Sequence, residues 1–161
     1  MNQLVIFEGL PGSGKSTLSA RFAERLAQQG VSIRAWHEGE LHPADLSWCA
    51  CVPAGEWDTL LSRHPAHKAL LEAQSEDFAG YRIVPYTQLN FGSDGEAMER
   101  ELSGYELYDG RADTAAFSAL HSARWQRFAA QAATQATVNV FECVLLQNHV
   151  NEWLLFRGAD E

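Results

Sequence analysis

A chain of 161 residues, 46% hydrophobic and 20% charged, is long enough for one domain with a real core and ordinary in composition for a globular protein. Its formal net charge of −9, with no Lys/Arg cluster set against it, argues against a nucleic-acid backbone or a bilayer surface as partner. No apolar run is long enough to span a membrane and no signal peptide is visible, so the expected location is cytoplasmic.

The first element is Leu4-Val5-Ile6-Phe7, a continuous apolar run that predicts a parallel strand buried on both faces. Gly9-Leu10-Pro11-Gly12-Ser13-Gly14-Lys15-Ser16-Thr17 follows at once and fits G-x-x-x-x-G-K-[ST], the phosphate-binding P-loop. Residues 15–29 read as a helix, with Leu18, Phe22 and Leu26 on one stripe and Gly30 as its stop. Strand, glycine turn and helix come in the order the motif requires. Gly9, Gly12 and Gly14 let the backbone curl so that successive N–H groups point inward at an anion. The helix start adds the positive end of its dipole. Lys15 is placed to reach the outer phosphates, and the Ser16 hydroxyl is a hard oxygen ligand suited to Mg²⁺. The motif implies nucleotide binding and does not by itself name a reaction.

Val31–Trp36 alternates and predicts a second strand nearer the sheet edge, ending in His37-Glu38-Gly39-Glu40. Residues 41–112 are irregular and hold every proline except Pro11, together with Trp48, Trp57, Tyr81, Tyr86, Tyr105 and Tyr108. Short helices are expected near 56–62, 66–76 and 96–102. Tyr81–Val84 looks extended, but Pro85 demotes it to an edge or loop. This stretch reads as an insertion covering a substrate site within a single domain of residues 1–161. Cys49, Cys51 and Cys143 read as free thiols, Cys49-x-Cys51 lacking a second pair with which to hold a metal. His37, His42, His64 and His67 raise the same question of a metal site; His64 and His67, three apart and so able to share one helical face, lie between Arg63 and Lys68 and read as solvent-exposed rather than as metal ligands. Residues 113–133 form the clearest later helix, with Phe117, His121, Arg124 and Phe128 on one stripe. A third strand, Val138–Phe141, ends in Glu142, and a last helix is expected near 147–156.

The sum is β-α-β, an insertion, then α-β-α, which implies an α/β fold with a mostly parallel sheet and helices on both faces. Ligands in such folds sit at the carboxyl ends of the strands. Three strand ends therefore converge: the glycine loop, Glu38/Glu40 and Glu142. Glu38 is the first candidate for a base that meets an acceptor hydroxyl, with Glu40 second. Glu142 is the candidate to hold magnesium through water, beside Lys15 and Ser16. Arg124 sits on an apolar stripe, where a charge must be paired or functional. It either binds an anionic acceptor or a phosphate, or it snorkels to the helix edge or pairs with Glu142. Arg127 and Arg111 are weaker candidates for the same work.

The Gly-x-Pro-Gly-Ser-Gly-Lys-Ser-Thr loop, the acidic second-strand end, the Arg-bearing helix and the acidic third-strand end together resemble the P-loop kinases of the thymidylate kinase and deoxynucleoside kinase group, and within it a bacterial ATP-binding branch. The resemblance implies a P-loop NTPase-like three-layer sandwich, ATP and Mg²⁺ as cofactors, and γ-phosphoryl transfer to a nucleoside- or nucleotide-like small molecule. In that group the third strand typically ends in Asp-Arg or Glu-Arg-Ser, whereas this chain has Glu142-Cys143-Val144. The group usually has five parallel strands in the order 2-3-1-4-5, and only three are legible here, strands 4 and 5 being absent. The first strand would then have a bare edge, to be covered by a partner such as a second copy or by a missing C-terminal segment. The alternative to a kinase is a non-catalytic nucleotide-binding module, or the N-terminal fragment of a longer kinase or ATPase. A nucleotide-hydrolysing switch is disfavoured, because neither a guanine-recognition motif nor an arginine-finger element can be placed.

Overall fold

The computed structural model describes residues 3–37, 39–93 and 95–158 of the chain. They fall into two units with separate cores, Met1–Asp45 with His121–Glu161, and Leu46–Leu120.

The first unit is built on a parallel sheet of β1 (Gln3–Phe7), β2 (Ile33–Trp36) and β6 (Val138–Glu142), in the order β1-β6-β2. Val5 lies opposite Val140, Phe7 opposite Glu142, and Trp36 opposite Phe141. The central strand is therefore β6, and all five of its residues are buried. The apolar run of β1 does not make it a doubly covered strand. Among the described residues β1 pairs only with β6, Leu4 is 42% exposed, and Val5 to Phe7 are half-buried. A continuous apolar run suits a central or an edge strand, and pairing partners decide which it becomes. Among the described residues no strand pairs with the outer edge of β1.

Helix α1 (Lys15–Gln28) leaves the glycine loop with Gly14 as its N-cap. It closes in a Schellman motif, with Gly30 N–H on Ala27 O at 2.9 Å and Val31 N–H on Leu26 O at 3.1 Å. Gly30 takes φ +77°, the left-handed conformation such a stop needs. The buried face of α1 runs through Ser19, with Phe22, Ala23 and Leu26 half-buried beside it, while Leu18 is 59% exposed and off the stripe. Phe22 packs edge-on against Phe7 of β1, ring centres 5.6 Å apart. On the sheet, Phe141 is fully buried between Phe128 of α5 (Thr114–Ala132), the His42 ring and Trp125, with centroids at 4.8, 4.1 and 5.9 Å. The chain closes with α6 (Gln147–Asn151) and a π-helical turn over Glu152–Phe156.

The second unit holds an antiparallel sheet of β3 (Ala50–Pro53), β4 (Glu76–Phe78) and β5 (Tyr81–Val84), with α2 (Trp57–Arg63), α3 (Lys68–Gln74) and α4 (Glu96–Ser103) around it. Its order is β3-β5-β4, so Tyr81–Val84 is the central strand rather than an edge or loop. Pro85 is harmless there because the ladder ends at Val84, opposite Ala50, and the missing N–H falls outside it. Trp57, Tyr86 and Phe91 pack with Leu60, Leu71, Met98 and Leu102 in this unit's own core. They are core residues and not the flat wall of an acceptor pocket, although Trp48 is exposed. Cys49 and Cys51 are buried free thiols in a second cluster with Leu46, Ile83, Phe117 and Leu120. His64 and His67 are half-buried, not solvent-exposed. His64 Nε2 is 2.6 Å from Glu101, and the His67 ring stands edge-on to Phe91. Among the described residues no helix is long and apolar enough to cross a membrane.

Candidate functional site

The site lies at the carboxyl end of the parallel sheet, within the first unit. Gly12 and Gly14 have φ of +78° and +87°, a region that side-chain-bearing residues enter only with strain. Ser13 N–H closes the loop on Leu10 O at 3.1 Å, and Lys15 folds its ammonium back over the loop onto the same carbonyl at 3.1 Å. Among the described residues no side chain caps the N-terminus of α1, and its first turn holds no acidic residue. The amides of that turn and the positive end of a 14-residue helix are thus left for an anion.

Register brings the rest together. Glu142 closes β6 opposite Phe7, two residues before the glycine loop begins, and its side chain is 1% exposed. The Ser16 hydroxyl donates to Glu142 Oε1, joining residues 126 positions apart. The other oxygen, Oε2, is buried, and among the described residues it has no hydrogen-bond partner. His37 follows β2 and places Nδ1 3.6 Å from that oxygen. A buried carboxylate with one orphaned oxygen, next to a serine hydroxyl and an imidazole, is a donor set that fits a divalent cation. Among the described residues no three of His, Cys, Asp and Glu converge on one point, so a cation here would need oxygens from a ligand or water to complete its shell.

Of the other candidates, Glu38 lies outside the described residues. Glu40 is exposed, and its carboxylate accepts the His37 backbone N–H at 3.0 Å while its own N–H donates to His37 O at 3.2 Å. It therefore shapes the turn that holds His37. Arg124 is buried rather than snorkelling to the helix edge, and its charge helps to lower the pKa of His42. Arg127 is half-buried, and Arg111 is tied to Glu106 at 3.0 Å in the second unit.

Two residues matter here in ways the sequence does not show. His37 belongs in sequence only to a loose cluster of histidines, and it is its place as the first residue after β2 that sets it beside Glu142. Glu8 sits between β1 and the loop, and its carboxylate accepts from the N–H groups of Leu145, Leu146 and Gln147 at 2.8, 3.0 and 3.1 Å. It thereby caps the turn that follows β6 and ties that turn to the base of the glycine loop. Cys143, between Glu142 and this turn, has φ +59°, a conformation that costs a side-chain-bearing residue about 1–2 kcal/mol. It turns the chain off the strand at Glu142, and its N–H is held by Phe7 O at 3.0 Å. A mostly apolar cavity of about 400 Å³ lies between Glu8-Gly9-Leu10-Pro11 and α6, lined there by Leu146, Gln147, Val150 and Asn151.

Behind the sheet end is a buried polar cluster. His42 Nδ1 accepts the Ala44 N–H at 3.1 Å, and burial, helped by Arg124 and opposed by Asp45, lowers its pKa to about 4. His121, with Nδ1 3.8 Å from Asp45 and its ring centre 4.6 Å from that of His149, is likewise lowered by burial to about 4. Asn148 donates to the same aspartate at 3.1 Å.

Compared with protein-family models, curated proteins and solved structures, the chain has no match.

Proposed function

We propose that the chain binds a nucleoside triphosphate with a divalent cation at Gly9–Thr17 and transfers the γ-phosphoryl group to a small-molecule acceptor, as the resemblance to P-loop kinases implies. The observation that carries this reading is the contact between Ser16 and the buried Glu142. It unites the hydroxyl of a phosphate-loop motif with a carboxylate from the neighbouring strand end, which is where a phosphate-bound metal needs its ligands. Lys15 and the first-turn amides of α1 would take the phosphates. Ser16 and Glu142 would hold Mg²⁺, which when bound neutralises charge on the phosphate oxygens. The cavity beside Gly9–Pro11 offers apolar walls for the acceptor.

Glu142→Gln keeps an acceptor for the Ser16 hydroxyl and removes the charge. Turnover of ATP in the variant should fall at least about 100-fold, while metal-free nucleotide binding stays within about threefold. Steady-state kinetics with and without Mg²⁺, beside isothermal titration, makes the measurement. Full Mg²⁺-dependent turnover in Glu142→Gln would remove the carboxylate from the site.

A second reading, a nucleotide-binding module without turnover, is favoured by the bare edge of β1. That strand carries the loop, yet Leu4 is 42% exposed and Leu146, Leu154 and Leu155 are 57%, 51% and 71% exposed beyond β6. An unpaired apolar edge invites a covering element. In this reading that element is a second copy or a further segment of a longer chain. Sedimentation of the 161-residue chain should then give a dimer or larger species with little turnover. A stable monomer with fast phosphoryl transfer rules this reading out.

A further inference from the structure

We propose that the cation site at the strand ends is a mixed nitrogen–oxygen site, in which His37 Nδ1 joins Glu142 and the Ser16 hydroxyl as a ligand, so that it takes Mn²⁺ in preference to Mg²⁺. The inference rests on the nucleotide-binding reading above and specifies which metal accompanies the nucleotide.

Three observations carry it. Glu142 Oε2 is buried without a hydrogen-bond partner among the described residues, and His37 Nδ1 stands 3.6 Å from it. That separation is longer than a hydrogen bond and close to the spacing of neighbouring donors around a cation, roughly 3 Å for metal–ligand distances of 2.0–2.1 Å. Both partners are also held in place from their far sides. Glu142 ends the buried central strand with its other oxygen on Ser16. His37 is gripped by Glu40 through both its backbone N–H and its carbonyl, at 3.0 and 3.2 Å. The acidic residue of that turn thus positions the imidazole.

The chemistry of the donors sets the preference. Mg²⁺ takes oxygen ligands in a strict octahedron and keeps several waters. Imidazole adds little for Mg²⁺ but binds the first-row transition ions, whose divalent members also accept carboxylate and hydroxyl oxygens. One carboxylate, one hydroxyl and one imidazole leave half of an octahedron for phosphate oxygens and water. The His37 side chain is 43% exposed, so its side of the site is open to them.

The test uses Mn²⁺ with ADP, which binds without turnover, and the whole chain. Electron spin-echo spectroscopy of the bound Mn²⁺ should show an imidazole-nitrogen coupling that disappears in His37→Ala and His37→Gln. Mn²⁺ affinity of the ADP complex should fall at least about tenfold in both variants, with Mg²⁺ affinity changed less than about threefold. Circular dichroism of the two variants should match the wild type, since His37 is partly exposed and outside the cores. Tightly bound Mn²⁺ without nitrogen coupling, and with unchanged affinity in the variants, overturns the proposal and leaves the nucleotide reading standing. If neither metal supports ADP binding to the wild type, both fall together.

Discussion

On the proposed nucleotide-binding reading, Mg²⁺–ATP is expected to stabilise the wild-type chain, and Lys15→Ala to abolish that effect. At a nucleotide concentration 100 times Kd, binding stabilises the folded state by about 2.7 kcal/mol. For a chain of this length that is a rise in Tm of roughly 5–10 °C. Lys15 is a half-buried residue whose ammonium rests on the carbonyl of Leu10, so its loss leaves the loop conformation to Gly12 and Gly14 and removes the cation from over the loop. The variant should therefore melt like the wild type without ligand and gain less than about 1 °C on adding Mg²⁺–ATP. Differential scanning fluorimetry across a nucleotide series makes the measurement. An equal rise in Lys15→Ala and wild type would mean that the glycine loop is not the phosphate site.

The second large effect is acid lability. His42 and His121 are buried and neutral, each with a pKa of about 4 against an ordinary value of 6.5. Burial is the main cause in both. The nearby Asp45 pulls the other way, and Arg124 for His42 and His149 for His121 push further down. A folded-state pKa below the unfolded one means that protons bind the unfolded chain more tightly. Stability should accordingly be flat above about pH 6.5, fall between pH 6.5 and 4, and level off for these groups below that. Each histidine accounts for about 3 kcal/mol over that window, against a total of roughly 5–15 kcal/mol for a typical domain. Urea titrations from pH 7.5 to 4 should show this loss. His121→Gln should lose less stability between pH 7 and 5 than the wild type, whatever its stability at neutral pH. A wild-type stability independent of pH across the window would show that these histidines are not buried in neutral form.

How much of the site was legible follows from how its parts are recognised. The glycine loop is a local object: its residues are consecutive, and the conformations that Gly12 and Gly14 adopt are ones that glycine tolerates without penalty. Glu142 was legible one step further out, because it directly follows an apolar run. Its contact with Ser16 was expected from the convergence of parallel strands and is present. His37 and Glu8 were not legible in this way. Neither belongs to a motif, and each matters only through a register: His37 because β2 ends beside Glu142, Glu8 because the turn after β6 brings three amides to its carboxylate. A glutamate and a histidine at strand ends have no spacing in sequence that reveals such partners.

The amino-acid sequence alone determined the elements whose signal is local. The glycine loop, α1, the three short helices of the middle stretch, the long helix bearing Arg124 and the strand Val138–Glu142 all arise from turn chemistry or from side-chain periodicity within a few residues. The tertiary structure decided everything that depends on which segments pair. Leu4–Phe7 and Val138–Phe141 are both apolar runs, yet the second is central and the first is an edge, because β6 pairs on both sides and β1 on one. Tyr81–Val84 became the centre of an antiparallel sheet because two segments too short to announce themselves, Ala50–Pro53 and Glu76–Phe78, pair with it. Trp57 and Tyr86 were drawn into a core of their own because burying a large aromatic surface outweighs keeping it free for a ligand. Backbone conformation is set by neighbours along the chain, whereas strand order and burial are set by competition among distant segments for the same hydrogen bonds and the same dry interior.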